Sequence, residues 1–332
     1  MAGLNVLFLG GTGIISTASV RLAVERGHRV TVLNRGQSSS RTVPDEVEHL
    51  VGDVSNPSSV DAAVGGREFD VVAQFRAFTP DTVQSDIARF TGRTGQYVFI
   101  SSASAYQKPP ASIPVTESTP LKNPFWQYSR DKIACEDVLV AADREQDFPM
   151  TIVRPSHTYD ESLLPTTGGW TDIARMRAGK PVVVHGDGTT PWTLTHSDDF
   201  AVGFVGLFGR PEALGNAYTI TGESAPTWNQ VYTWLGRAAG VEPQLVHVAS
   251  ERIARELPDV GAGLVGDKAH AMLFDTTKLR RLVPEFTTTV PYAEGARRQI
   301  AWYDAHPEAQ VVDEEKDALM DRLAEAYAPG RV

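Results

Sequence analysis

Short runs of Val, Ile and Leu alternate with helical patterns through the first half of this 332-residue chain. This alternation is typical of an α/β fold. A glycine-rich turn at 10–13 (Gly-Gly-Thr-Gly) separates the first apolar run from the first helical pattern, as in a dinucleotide-binding unit. After Arg154-Pro155, shorter elements are separated by Pro, Gly and Thr. We therefore predict a Rossmann-type doubly wound parallel sheet with a smaller, mostly α C-terminal substrate domain.

Strands are predicted where apolar, β-branched runs lie between turn signals. These runs are 4–9, 29–33, 47–51, 69–73, 97–101 and 149–153. Helices are predicted between them at 14–26, 57–64, 81–91 and 128–146. Gly27 can cap the first helix, and Pro57 suits the first turn of the second. Near-continuous apolar strands indicate a sheet that is covered on both faces.

The second half contains fewer and shorter elements. The patterns at 228–239 and 292–303 indicate helices, and a charged helix is expected at 313–327. We expect residues 1–155 to form a dinucleotide-binding Rossmann domain, with later segments near 190–222 returning to it. Residues 156–332 are then mainly a substrate-binding domain.

Composition narrows the classes of function. The net charge of -10 argues against nucleic acid as a partner, because phosphate binding depends on clustered Lys and Arg. The single cysteine, Cys135, indicates a reducing compartment. The N-terminus resembles no signal sequence, and the longest apolar stretch, 200–209, is too short to span a bilayer. We expect a cytoplasmic protein without membrane association, and a homodimer is left open.

The glycine turn predicts the cofactor site. Gly10 and Gly13 are expected to take backbone angles that other residues resist, and to let the backbone approach a pyrophosphate. The helix that starts at Ile14 would present its free N–H groups to that pyrophosphate. Ser16 occupies the third small position, where a glycine is usual, and this change is expected to loosen the packing of helix on strand. Further expected contacts are Thr12, Ile15, Val54 and Pro155.

Residues at the end of the second predicted strand are expected to contact the adenosine ribose of the cofactor. NAD-binding sheets commonly place an acid there, whereas this chain has Asn34 followed by Arg35. The missing carboxylate removes a repulsion against a 2′-phosphate, and a guanidinium can bind one. NADP is therefore the expected cofactor, with NAD as the alternative if Arg35 is a solvated charge. Asp53 is expected to meet the adenine edge or to cap a turn.

Ser102, Tyr128 and Lys132 are the predicted catalytic residues. Tyr128 and Lys132 lie four residues apart in a helical pattern, so they share a face. Lowering a phenol pKa of about 10 to neutrality takes roughly 4 kcal/mol, and the Lys132 ammonium and an oxidised nicotinamide would both act in that direction. Tyr128 would exchange a proton with the substrate while Ser102 holds the same oxygen and Lys132 reaches the nicotinamide ribose. The alternative is a surface helix with incidental spacing.

Taken together, these motifs resemble the extended short-chain dehydrogenase/reductase family, which includes UDP-galactose 4-epimerase and other nucleotide-sugar epimerases and dehydratases. The matching segments are Gly-Gly-Thr-Gly at 10–13, Ile-Ser-Ser-Ala-Ser-Ala-Tyr at 100–106, Tyr-Ser-Arg-Asp-Lys at 128–132, Arg-Pro at 154–155, Gly-Asp-Gly-Thr at 186–189 and Thr-His-Ser-Asp-Asp at 195–199. The resemblance reaches to about residue 300. It implies that Ser102, four residues before Tyr106, is the catalytic serine, that Ser104 contacts the substrate and that Ser101 is structural.

The chain departs from this family at a position that bears on the substrate. Trp192 stands where nucleotide-sugar enzymes often carry an arginine that grips the diphosphate. A tryptophan offers an uncharged stacking face, and packing between domains is an equal alternative. Arg175, Arg177 or Arg281 would be other sources of diphosphate contacts.

Two further departures concern the walls of the site. Relatives often have a His-Leu-Ala-Ala-like stretch beside the cofactor, where this chain has Phe75, Arg76 and Ala77. Arg76 is expected to meet an anionic substrate group, to contact cofactor phosphate, or to pair with a carboxylate. His157 stands where relatives often place a substrate-contacting asparagine, and is a hydrogen-bond partner of the substrate or a plain loop histidine. His196 is expected to orient a turn before a helix.

The expected function is that of an NAD(P)-dependent oxidoreductase or epimerase acting on a secondary alcohol or ketone of a sugar or sugar-like molecule. One alternative is a nucleotide-diphosphate-sugar epimerase or dehydratase. Another is a cofactor-bound regulatory or RNA-binding protein, against which the acidic composition and the complete catalytic set both argue. No metal is expected, because no cluster of His, Cys and carboxylates has ligand spacing.

Overall fold

The computed structural model describes residues 3–36 and 41–327. The strands, in chain order, are β1 (Asn5–Leu9), β2 (Arg29–Asn34), β3 (Glu48–Val51), β4 (Phe69–Gln74), β5 (Thr94–Ile100), β6 (Met150–Pro155), β7 (His157–Tyr159), β8 (Val182–His185), β9 (Leu194–His196), β10 (Asn216–Ile220) and β11 (Leu245–Val248). The helices are α1 (Ile14–Glu25), α2 (Pro57–Val64), α3 (Pro80–Phe90), α4 (Gln127–Gln146), α5 (Trp170–Arg177), α6 (Ser197–Gly206), α7 (Trp228–Ala238), α8 (Ser250–Glu256), α9 (Pro258–Gly263), α10 (Thr277–Leu282), α11 (Tyr292–Ala305) and α12 (Glu314–Tyr327). A 3₁₀ turn, Ala103–Ala105, follows β5, and a π-helical turn, Leu264–Lys268, follows α9.

Seven strands form one parallel sheet in the order β10-β6-β5-β4-β1-β2-β3. The strand order reverses beside β1, which pairs with β2 on one side and with β4 on the other. In sheets of this kind the ligand crevice lies at that reversal, beyond the carboxyl ends of the strands. The doubly wound parallel sheet predicted from the sequence is therefore confirmed.

Alternate residues of the central strand enter two separate cores. Val6 and Phe8 pack with Phe204 of α6 on one face of the sheet. Leu7 and Leu9 pack on the other face, in the core that also contains Cys135 of α4. Side chains of a strand alternate between faces, so a strand that is buried on both sides must be apolar throughout. This is the reason the strands could be recognised in the sequence.

The chain returns to this sheet after leaving it. Strand β10 pairs with the outer side of β6, with Tyr218 opposite Val153. Leu279 of α10 and Phe286 also belong to the core under this part of the sheet. Several segments beyond residue 156 therefore complete the sheet layer, rather than packing only with the rest of the C-terminal half.

The remaining strands form two small parallel pairs, β7 with β9 and β8 with β11. Their surroundings form a core rich in aromatic residues, including Trp170, Trp192, Trp228, Tyr232 and Tyr292. None of these four strands was predicted, and two of them, β7 and β9, have only three residues each, too few to show an alternating pattern.

His196 ends β9 and caps the next helix. Its Nδ1 accepts a hydrogen bond from the Asp198 backbone N–H at 3.2 Å, and its Nε2 lies 3.2 Å from the Glu161 carboxylate. The hydrogen bond from His196 holds the pKa of Glu161 well below its ordinary value, at about 2. The expectation that His196 orients this turn is confirmed.

Residues 3–36 and 41–327 contain neither a membrane-spanning helix nor a metal-binding cluster. No helix in these ranges has both the length and the apolar content to cross a bilayer. No three side chains of His, Cys, Asp or Glu in the same ranges lie together in a way that could hold a metal ion.

Candidate active site

The glycine turn joins β1 to α1 at the reversal in strand order. Gly10 has a φ of 91°, in the left-handed region that favours glycine, and a Cβ there would collide with the Arg76 side chain. A Cβ at Gly11 would lie 2.6 Å from Val32, so this glycine lets the turn pack on β2. Gly13 has φ -88° and ψ -179°, which other residues adopt readily, and the expectation of an unusual angle there is wrong.

Ser16 closes the first turn of α1. Its Oγ accepts a hydrogen bond from the Gly13 N–H at 2.8 Å, and its side chain is buried. The serine therefore holds the turn in place and occupies this small, buried position. The first turn of α1 contains no acidic residue that would repel an anion.

A cavity of about 590 Å³ opens at this turn. The predicted cofactor residues that line it are Gly10, Thr12, Gly13, Ile15, Asn34, Arg35, Asp53, Val54, Phe75 and Arg76. Four others do not line it: Ile14 starts α1, Ala77 and Lys132 lie behind its wall, and Pro155 lines a second, smaller cavity. The glycines and the arginines of the larger cavity fit a dinucleotide phosphate group.

The two arginines of this cavity remain available to a ligand. Arg35 and Arg76 are exposed, and Arg76 contacts no carboxylate at ion-pair distance within the described part of the chain. Hydrogen bonds from Ser55 hold the pKa of Asp53 below its ordinary value, and the charges of both arginines add to this. Asp53 therefore closes a local turn, and because it also lines the cavity, its expected contact with adenine stays a prediction. Of the three roles expected for Arg76, pairing with a carboxylate is not observed.

Lys132 is buried between the ends of β4 and β5. Its Nζ donates hydrogen bonds of 2.7 Å to the carbonyl oxygens of Ala77 and Ile100. Burial lowers the pKa of Lys132 to about 8. Because Ile100 lines the larger cavity, the amine stands directly behind the wall of that cavity.

Tyr128 lies in the first turn of α4, one turn before Lys132. Burial raises the pKa of Tyr128 to about 12, and a hydrogen bond with the Ser102 hydroxyl offsets only part of this rise. The Lys132 Nζ lies 5.8 Å from the centre of the Tyr128 ring and donates to two carbonyl groups instead. Lys132 is therefore not seen to lower the pKa of Tyr128, whose rise is caused mainly by loss of hydration. Tyr128 is protonated at neutral pH.

A chain of hydroxyl groups holds Ser102. Ser102 Oγ lies 2.8 Å from Ser104 Oγ, which in turn accepts a hydrogen bond of 2.8 Å from Ser129 Oγ. Ser104, which was expected to contact the substrate, lines the smaller cavity, and its hydroxyl also contacts these two neighbours. Its position indicates that it orients Ser102.

The smaller cavity, of about 230 Å³, brings most of the predicted reaction centre together. Its lining residues are Ser102, Ala103, Ser104, Trp126, Tyr128, Pro155, Ser156, His157, Thr158, Trp192, Asp267, Lys268 and Phe274. Residues far apart in the sequence thus meet around Tyr128. Lys132 is the one predicted catalytic residue that does not line this cavity.

His157 and Trp192 line this cavity with unused hydrogen-bonding atoms. His157 Nε2 and Trp192 Nε1 are buried, and neither has a hydrogen-bond partner among the described residues. Burial, together with the charge of Lys268, lowers the pKa of His157 to about 3, so the imidazole is neutral. Trp192 also stacks on Trp228 at 6.0 Å, so it packs in the core and faces the cavity. Buried polar atoms without partners are uncommon in native proteins and call for an explanation such as a ligand.

Asn123 connects the loop before α4 to two other segments. Its Nδ2 lies 2.8 Å from the Ser104 carbonyl oxygen and 2.7 Å from that of Gly266. Its Oδ1 accepts from the Phe125 N–H at 3.1 Å. Sequence reasoning missed Asn123, and also Asp267 and Lys268, because no motif surrounds any of them.

Arg154 of the Arg-Pro motif has a structural role. Its guanidinium forms a buried ion pair with Glu136 of α4, and its Nη1 donates to the Tyr106 hydroxyl at 3.1 Å. Ser101 donates a hydrogen bond to the same Glu136 carboxylate. These contacts tie β5, β6 and α4 together beneath Ser102, and they agree with the structural role expected for Ser101.

The arginines considered as sources of diphosphate contacts lie elsewhere. Arg175 pairs with Asp317 at 2.6 Å and Arg177 pairs with Asp304 at 2.8 Å. Arg281 lines a separate cleft on the side of β10. None of the three lines either of the two cavities at the glycine turn and Tyr128.

The chain is similar in sequence and in fold to known proteins. Residues 6–221 match the NAD dependent epimerase/dehydratase family. The chain is 27% identical over 288 residues to 2'-dehydrokanamycin reductase of Streptomyces kanamyceticus, covering 85% of this chain and 80% of that one. It is also 27% identical over 256 residues to the chloroplast stem-loop binding protein of 41 kDa b of Arabidopsis thaliana, covering 73% and 65%. An epimerase structure from Methanothermobacter thermautotrophicus shares the fold, with a TM-score of 0.75, 17% identity, and coverage of 93% and 94%.

Proposed function

The chain belongs to the NAD dependent epimerase/dehydratase family, and we propose that it oxidises or reduces a secondary alcohol or ketone of a sugar-like small molecule. The main support is the cavity that contains Ser102 and Tyr128 together with the unpartnered ring nitrogens of His157 and Trp192. An oxygen-rich ligand would supply the hydrogen bonds that these nitrogens lack. The indole N–H requires an acceptor, whereas the neutral imidazole can donate or accept.

The proposed reaction divides the work between the cofactor and three side chains. A nicotinamide cofactor supplies or accepts the hydride. Tyr128 exchanges the proton at the substrate oxygen, and Ser102 donates a hydrogen bond to the same oxygen. Lys132 supports the wall of the larger cavity through its hydrogen bonds to the Ala77 and Ile100 carbonyls. Burial keeps Tyr128 protonated at neutral pH, so it holds the proton that reduction of a ketone requires. The name of the kanamycin reductase agrees with this direction.

We propose NADP as the preferred cofactor. Arg35 and Arg76 both face the larger cavity, and no carboxylate stands at the end of β2 to repel a 2′-phosphate. The Asn34 Oδ1 accepts a hydrogen bond from the Gly36 N–H at 2.9 Å, so it is engaged in its own loop. Guanidinium groups bind phosphate through charge-assisted hydrogen bonds.

A nucleotide-diphosphate sugar is the less favoured substrate. The cavity at Tyr128, about 230 Å³, is smaller than the roughly 300–1,000 Å³ of usual ligand pockets. No arginine lines it, and Trp192 is almost fully buried at the position where a diphosphate clamp is usual in the family. An RNA-binding role, which the name of the Arabidopsis relative raises, is opposed by the net charge of -10.

Tyr128→Phe tests the proposal, because it removes only the hydroxyl. Ketone reduction by NADPH, followed at the nicotinamide absorbance over a panel of sugar ketones and a generic ketone, should fall by about two to four orders of magnitude. Thermal stability and cofactor affinity should stay at the wild-type level. Tyr327→Phe, at an exposed position on α12, is the matched control and should retain full activity. Near-wild-type turnover by a folded Tyr128→Phe protein would exclude Tyr128 as the proton donor.

Lys132→Met tests whether Lys132 supports cofactor binding as well as the reaction rate. This change removes the amine that joins the Ala77 and Ile100 carbonyls, so it should weaken cofactor binding as well as lower the rate. Ser102→Ala should lower the rate and leave cofactor affinity unchanged. Calorimetric titration with NADPH distinguishes the two variants. Unchanged cofactor affinity in Lys132→Met would show that the lysine does not support the cofactor cavity.

A further inference from the structure

Lys268 is a half-buried side chain that lines the cavity containing Tyr128. It lines this cavity together with His157 and Trp192. No carboxylate lies within ion-pair distance of its Nζ, and no hydrogen bond involves that atom, among residues 3–36 and 41–327. Burial lowers the pKa of Lys268 below its ordinary value. A cation placed in such a position without a partner is strongly disfavoured, so a partner from outside the chain would stabilise it.

The neighbouring charges do not neutralise Lys268. Asp267 also lines the cavity, but its carboxylate is paired with the buried Lys108 at 2.9 Å. Lys108, Asp267 and Lys268 together therefore carry one net positive charge. The two nearby imidazoles add nothing, because burial lowers the pKa of His157 to about 3 and that of His185 to about 4.

The segment that carries Lys268 is held firmly against the reaction centre. Lys268 ends the π-helical turn Leu264–Lys268, and such turns are often found at functional sites. The Gly266 carbonyl accepts from Asn123 Nδ2 at 2.7 Å, and a Cβ at Gly266 would lie 3.0 Å from Trp126 Cβ. The turn therefore packs directly on the loop that leads into α4 and Tyr128. The Lys268 carbonyl also accepts from Trp228 Nε1 at 3.2 Å, so its backbone is fixed on both sides.

We propose that Lys268 recognises a carboxylate on the substrate, so that the preferred substrates are sugar acids. This inference rests on the proposed function for the reacting end of the cavity and adds the chemical class of the substrate. One ammonium matches a single negative charge, whereas a diphosphate would lack the further cations that it requires. A neutral sugar would leave Lys268 unpaired, and an amino sugar would place a second positive charge beside it.

Binding of three matched sugars tests the proposal. The full-length protein, saturated with NADP⁺, is titrated calorimetrically with glucuronate, glucose and glucosamine. Glucuronate should bind at least about tenfold more tightly than glucose, and glucosamine should bind most weakly. In Lys268→Met, affinity for glucuronate should fall by at least about tenfold while that for glucose changes less than about twofold. Lys268→Arg retains the charge and should retain the preference. Lys316→Met, on the distant helix α12, is the control and should bind all three as the wild type does.

Two results would overturn the assignment of Lys268. One is an equal or weaker affinity for glucuronate than for glucose, including no binding of glucuronate at all. The other is a preference for glucuronate that survives in Lys268→Met. If Lys268→Met does not fold, Lys268→Gln provides the same comparison, and in the wild type the preference for glucuronate must weaken as salt is raised. Failure of this inference leaves the proposed reaction standing, because hydride transfer and its dependence on Tyr128 are measured with uncharged ketones.

Discussion

Replacing Asp172 by asparagine should stabilise the protein at neutral pH. Asp172 lies in the first turn of α5 and is fully buried. Its Oδ2 accepts from the Gly168 N–H at 2.9 Å, its Oδ1 makes no hydrogen bond of good geometry among the described residues, and the nearby Thr166 hydroxyl offsets only part of the effect of burial. The nearby Arg175 is already paired with Asp317 and Asp321. Burial therefore raises the pKa of Asp172 from 3.8 to about 6.

The size and sign of the effect follow from this pKa. A rise from 3.8 to about 6 corresponds to about 3 kcal/mol. The folded state holds the proton more tightly than the unfolded state, so this stability is fully present below pH 3.8 and is lost as pH rises towards 6. Asparagine keeps an acceptor for Gly168 and cannot ionise. Asp172→Asn should therefore raise the free energy of unfolding by up to about 3 kcal/mol at pH 7 and have little effect in acid.

Urea unfolding of the wild type and the variant across the acid-to-neutral range measures this difference. Asp187→Asn is an informative control, because hydrogen bonds from Thr189 lower the pKa of the exposed Asp187. Its contribution to stability is present above the ordinary pKa and is lost in acid, the opposite sign. A difference between Asp172→Asn and the wild type that is independent of pH, or that grows in acid, would refute the assignment of a raised pKa to Asp172.

Two further variants test the choice of cofactor and the buried Arg154–Glu136 ion pair beneath Ser102. Arg35→Ala should weaken NADP(H) binding by about 1.5–3 kcal/mol, which is the usual contribution of a hydrogen bond to a charged group. Calorimetric titration should show NAD(H) binding nearly unchanged. An equal loss of affinity for both cofactors would contradict a contact between Arg35 and the 2′-phosphate. Arg154→Met leaves Glu136 buried and unpaired, so it should destabilise the protein by about 3–5 kcal/mol in chemical denaturation. Adding Glu136→Gln should recover part of this loss, and a single variant as stable as the wild type would show that the buried pair contributes nothing.

Most of the fold could be predicted from the sequence because the patterns that indicate its strands and helices lie within short stretches of the chain. Strands such as β4 and the long helix α4 carry continuous apolar or helical patterns, and the glycine turn lies between a strand and a helix. The resemblance to the extended short-chain dehydrogenase/reductase family is likewise confirmed by the family match over residues 6–221. The three-residue strands β7 and β9 were missed because they are too short to show a period.

The candidate site was only partly accessible, because much of it depends on tertiary contacts. The sequence placed Ser102 and Tyr128 in one site, and the structure has both lining one cavity. Without a cofactor the pKa of Tyr128 is raised rather than lowered, because burial under residues from other segments decides it, and the effect of an oxidised nicotinamide stays a prediction. Lys268 and Asn123 lie far apart in the chain and meet only through the packing of the π-helical turn on the loop before α4. No spacing in the sequence encodes that meeting.

During synthesis on the ribosome, β6 emerges well before its neighbour β10. Until residues 216–220 are translated, the outer edge of β6 presents unpaired N–H and C=O groups, which are a template for pairing with other chains. A nascent polypeptide interrupted after residue 155 would contain the whole glycine turn and yet expose this edge, and would be prone to aggregation or to capture by chaperones. The late arrival of β10 therefore links correct assembly of the sheet to translation of most of the chain.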